Sequence, residues 1–108
     1  MDKLTSLNWE KRLMEIAINV GKIVLSIDAS AKIYLFGSAV KGLFTALSDI
    51  DILVVTENID KKYDIMVKVY KEVKEPIELH VTTPKLYESW YKRFIEKDEI
   101  IEITPLIQ

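Results

Sequence analysis

A chain of 108 residues can bury one modest core and is too short for two ordinary domains, so a single domain spanning 1–108 is expected. With 49% apolar and 30% charged residues it reads as a globular chain; the lack of cysteine excludes disulfides and thiolate chemistry and fits a reducing, cytoplasmic compartment. A formal net charge of −2 supplies no basic field for stable nucleic-acid binding. No apolar run approaches the roughly 20 residues that cross a bilayer, so no membrane is expected as a partner.

Taken in chain order, Asn8 is a candidate N-cap, and Leu13, Ile16, Ala17, Val20, Val24 and Ile27 recur at three-and-four spacing, which predicts a helix from about Trp9 to Ile27. After a break at Asp28 to Ser30, KIYLF reads as a buried strand that ends where Gly37 begins. Ala39 to Leu47 reads as a short helix weakened by Gly42, and DIDILVV as a second strand. Asp60 is placed to cap a further helix with Tyr63, Met66, Val67, Tyr70 and Val73 on one side, ended by Pro76. IELHV alternates as a third strand. Thr83-Pro84 then starts a last helix, with Leu86, Tyr87, Trp90 and Phe94 facing the core. EIIEI is a candidate edge strand closed by Pro105, and the tail PLIQ packs either on the domain or on a second chain. Strands alternating with helices predict an α/β (α+β) fold, a small mixed sheet of three to four strands packed with helices.

The chemistry concentrates in GSAVKGLFTALSDID, Gly37 to Asp51. On a strand Asp49 and Asp51 project from one face, and two carboxylates held that close repel unless a cation lies between them. Mg²⁺ accepts such ligation by one or two carboxylates together with substrate phosphates. Gly37 and Ser38 open a helix after a strand, where unpaired backbone N–H groups and a hydroxyl can accept phosphate oxygens, and Lys41 one turn later can add a positive contact or stay solvated. If IELHV pairs beside DIDILVV, Glu78 brings a third carboxylate, as metal ligand or as proton acceptor for an attacking hydroxyl. His80 shares its face and reads as structural more readily than as a ligand.

GS, ten residues, then D-x-D, with Ser48 before the first Asp and an apolar run after the second, resembles the nucleotidyltransferase superfamily that includes DNA polymerase β. ELHVTTPKL strengthens the likeness to its small stand-alone members, the minimal nucleotidyltransferases, and the resemblance covers Trp9 to the chain end. It implies a nucleotidyltransferase fold and transfer of AMP from ATP to a hydroxyl, with two Mg²⁺ ions. By that resemblance Gly37, Ser38, Lys41 and Ser48 bind the nucleotide, and Asp49, Asp51 and Glu78 hold metal, Glu78 also acting as base. Many small members are antitoxins paired with a HEPN-domain toxin, a helical ribonuclease, so such a toxin is the expected partner.

The chain departs from the family where Ala39 and Val40 replace a common arginine, where Glu78 replaces Asp, and where LFTAL replaces a polar loop. These departures leave a second reading open, an antitoxin that neutralises its partner by binding alone. A hetero-oligomer and a homo-oligomer are both open.

Overall fold

The computed structural model describes residues 3–37, 49–95 and 99–107, without the side chains of residues 3–10 and 94. The short helix expected over Ala39 to Leu47 lies outside them, as do Ser38, Lys41 and Ser48.

Helix α1 runs Lys3–Ile27. It begins six residues earlier than the sequence suggests, with Asn8 inside it rather than at its cap, because nothing in KLTSLN breaks a helix. Strands β1 (Lys32–Phe36), β2 (Ile50–Val55), β3 (Ile77–Thr82) and β4 (Ile100–Glu102) form one sheet in the order β3-β2-β1-β4. β1 pairs antiparallel with both β2 and β4, whereas β2 and β3 run parallel. A parallel pair needs a crossover, and α2 (Lys62–Glu72) supplies it. The fold is thus a mixed sheet packed with helices, with EIIEI at an edge as expected.

Side-chain alternation gives the sheet two unlike faces. On one, Ile33, Leu35, Ile50, Ile52, Val54, Ile77, Leu79 and Val81 are buried and join Leu13, Ile16, Ala17, Val20 and Val24 of α1 in the core. From α2 the core receives Ile65, Val69 and, just past the helix, Val73. The expected face of α2 holds at Val73 and in part at Met66 and is corrected at the rest: Tyr63 is 77% exposed, and Val67 and Tyr70 are exposed too. Tyr70 still contributes, since its hydroxyl accepts the Leu79 backbone N–H at 2.8 Å. Asp60 is not the cap either; it sits inside a 3-10 turn, Ile59–Lys61, that leads into α2. Pro76 does not end α2, which stops at Glu72; its carbonyl instead accepts the Ile50 N–H at 3.0 Å.

The other face lies beside a helical segment made of α3 (Pro84–Leu86), a π-helical turn Tyr87–Tyr91 and α4 (Lys92–Phe94). Thr83 caps it as expected, its hydroxyl oxygen accepting the Leu86 N–H at 3.2 Å, with Pro84 following. The predicted core stripe is corrected at Leu86 and Trp90, which are exposed, while Tyr87 is half-buried against Tyr34 and the side chain of Phe94 lies outside the described residues.

Residues 104–107 close on the domain. The Thr104 hydroxyl accepts the Ile33 N–H at 2.8 Å, and in α5 (Thr104–Ile107) Ile107 packs where Gly21 of α1 has no side chain. Among the described residues no helix is long and apolar enough to cross a membrane.

Candidate active site

The second sheet face carries the site. Parallel register puts Asp51 of β2 directly beside Glu78 of β3, and Phe36 of β1 opposite Asp51 on the other side. One pleat along, His80, Leu53 and Tyr34 form the next row. Two strands far apart in sequence, β2 and β3, therefore bring Asp51, Glu78 and His80 together through parallel pairing and alternation.

One ligand atom from each of these three side chains lies within 4.8 Å of the others. His80 Nε2 stands 3.6 Å from Asp51 Oδ1 and 3.7 Å from Glu78 Oε1. Among the described residues Nε2 is buried and makes no hydrogen bond. Two rings brace the imidazole: Phe36 at 5.2 Å and 64°, and Tyr91 of the π turn at 6.4 Å and 75°, both edge-on. Burial first, and then the charge of Glu78, push the Asp51 carboxyl above its ordinary value, against the opposing pull of His80.

Gly37 closes the site from the end of β1. Its φ is +81°, and a Cβ there would stand 2.7 Å from Asp51 Oδ2. Only glycine fits, because the backbone is left-handed and the carboxylate occupies the space of a side chain. Asp49 lies just before β2, exposed, and its carboxylate is not part of the gathered group. Of the residues the sequence singles out, the structure thus joins Asp51, Glu78 and Gly37, together with His80, which the sequence reads as structural more readily than as a ligand.

The donor set fits a divalent cation. Two carboxylates converge with an imidazole nitrogen that stands 3.6 and 3.7 Å from them, the spacing of neighbouring ligands of one ion, roughly 3 to 4 Å for bonds of about 2.1 Å. The sequence underrates His80, Phe36 and Tyr91. Strand alternation signals His80, whereas Tyr91 reaches the site only through the π turn, which no local pattern announces.

Along the same face lies a cavity of about 320 Å³ lined by Lys32, Tyr34, Thr56, Tyr87 and Glu88, among others. Tyr34 and Tyr87 stack at 5.3 Å in its wall. Burial, helped by Glu102, Tyr87 and Glu88, pushes the Tyr34 phenol up to about 12, so it stays neutral and can donate a hydrogen bond.

Comparison with known proteins agrees with this geometry. The family model of the nucleotidyltransferase domain matches residues 18–103. A crystal structure of a candidate nucleotidyltransferase from Sulfolobus solfataricus shares the fold, with a TM-score of 0.67 at 22% identity over 91% of this chain and 85% of its own. Another crystal structure, also of a candidate nucleotidyltransferase, has a TM-score of 0.63 at 31% identity, covering 78% of this chain and 92% of that one. No curated protein sequence matches significantly. With the match spanning most of the chain and the carboxylates where strand pairing gathers them, the protein belongs to the nucleotidyltransferase domain family.

Proposed function

We propose that the protein transfers AMP from ATP to a protein hydroxyl, releasing pyrophosphate, and that the acceptor is a tyrosine of a partner HEPN toxin. The observation that carries the reading is the pairing of Asp51 with Glu78 on adjacent strands, beside a glycine whose missing side chain makes room for the Asp51 carboxylate. Asp51 and Glu78, with Asp49 just before β2, would hold the Mg²⁺ ions, which supply charge neutralisation at the phosphates. Glu78 has the most exposed side chain of the gathered three, 58%, which supports its reading as the group that takes the proton from the incoming hydroxyl. The oxygen then bonds to the α-phosphorus as the bond to pyrophosphate breaks. Gly37, Ser38, Lys41 and Ser48 are the proposed nucleotide contacts, and the cytoplasm is the proposed compartment.

Incubation with labelled ATP, Mg²⁺ and the helical protein encoded by the adjacent gene tests this. Label should move to a tyrosine of that protein, and Asp51→Asn should reduce transfer at least about 100-fold. Absence of transfer, or transfer indifferent to Asp51→Asn, overturns the proposal.

A second reading, neutralisation by binding alone, is favoured by the exposed strip on α2, where Tyr63 and Val67 line an open groove with Ile27 and Lys71. On that reading MgATP shows no metal-dependent binding in calorimetry, and Asp51→Asn neutralises the toxin as well as the parent protein does.

A further inference from the structure

We propose that His80 is itself a ligand of the cation that Asp51 and Glu78 hold, and that the mixed nitrogen and oxygen donor set makes this site prefer a divalent transition-metal ion to Mg²⁺. The inference rests on the reading of these residues as a cation site and goes beyond it in naming an imidazole ligand and the class of ion.

Three observations carry it. The first is the state of Nε2: it is buried and, among the described residues, has no hydrogen-bond partner. Leaving such an atom unpartnered costs about 1–3 kcal/mol, so a ring nitrogen buried beside two carboxylates needs a reason to be there.

The second is distance. A protonated imidazole bridging two carboxylates would draw each oxygen in to roughly 2.8 Å, the length of a charge-assisted hydrogen bond. The separations here are 3.6 and 3.7 Å, to both oxygens at once. Those lengths are too long for a hydrogen bond and suit two donors that share an ion through bonds of roughly 2.1 Å each.

The third is the brace. Phe36 and Tyr91 contact the imidazole edge-on from β1 and from the π turn, so the ring is held with Nε2 turned toward the carboxylates. A binding site pays less ordering entropy when its ligand is fixed beforehand.

The selectivity follows from the donor atoms. Mg²⁺ takes oxygen ligands in strict octahedral geometry, whereas imidazole nitrogen suits the borderline transition ions. Mn²⁺ is the weakest binder of the first-row series, so a preference detected with it is the conservative case.

Mn²⁺ titration of the full chain, followed by electron paramagnetic resonance with and without Mg²⁺ competition, tests the proposal. Pulsed spectra of bound Mn²⁺ should carry ¹⁴N modulation from the imidazole. His80→Phe, which keeps a ring between Phe36 and Tyr91, should erase the modulation and weaken Mn²⁺ roughly tenfold while changing Mg²⁺ less than threefold. His80→Gln serves as the second variant, and the ¹⁴N signal of the parent protein decides the question even if both variants fold poorly. Bound Mn²⁺ without ¹⁴N modulation, or a Mn²⁺/Mg²⁺ ratio unmoved by either folded variant, overturns the role of His80 and leaves the carboxylate site standing. Failure of Mn²⁺ and Mg²⁺ alike to bind overturns both.

Discussion

Gly37 is the only described residue with a left-handed backbone, and the carboxylate of Asp51 fills the place its side chain would take. The sequence marks this glycine as a turn after a strand, but the approach of Asp51 is a tertiary fact set by the pairing of Phe36 with Asp51. Gly37→Ala should therefore cost about 1–3 kcal/mol in urea unfolding and also weaken Mn²⁺ binding, because the methyl group meets a ligand. A loss of stability with metal affinity unchanged would show that Asp51 can yield. The same distinction explains which site residues were legible. Asp51 and Glu78 announce themselves by type and alternation, whereas the role of His80 depends on Asp51, on the neighbouring rung and 29 positions away in sequence.

Among the elements, the strands read correctly because each is short, apolar and bounded by turn residues. α2 was harder, since KYDIMVKVYKEV carries two overlapping apolar stripes at helical spacing. Packing against α1 selects the purely aliphatic stripe, Ile65, Val69 and Val73, and leaves the aromatic one outward, which periodicity alone cannot decide. Ile65→Ala should cost about 2–5 kcal/mol, while Tyr63→Ala should stay within about 0.5 kcal/mol, both read from denaturant melts. At the other face a single cap starts the helical segment that carries Tyr87 and Tyr91. Thr83→Ala should cost about 1 kcal/mol and raise hydrogen exchange at the Leu86 and Tyr87 amides.

Across the whole molecule, one buried carboxylate ties the end of α1 to the exit of β2. Asp28 accepts hydrogen bonds from the Thr56 hydroxyl, from the Ser30 hydroxyl and N–H, and from the Asn58 side chain. Burial alone would raise its carboxyl; these donors outweigh burial and hold it below the ordinary value of 3.8. A lowered folded-state value means the ionised form is stabilised by folding, so the contribution is fully present above pH 3.8 and is lost as pH falls through the folded value. Asp28→Asn should thus destabilise the protein at pH 7, and the gap to the parent protein should narrow in unfolding series carried below pH 3.8. A gap independent of pH would assign the effect to packing. Parallel register also has a genetic consequence. Inserting one codon between those for Ile77 and Leu79 would turn the side chains after it to the opposite face, carrying His80 into the aliphatic layer and putting Leu79 in its stead. An extra codon in the turn from Val73 to Pro76 would merely lengthen a connection outside the sheet, so length variants of this gene should survive selection in that turn and vanish from the third strand.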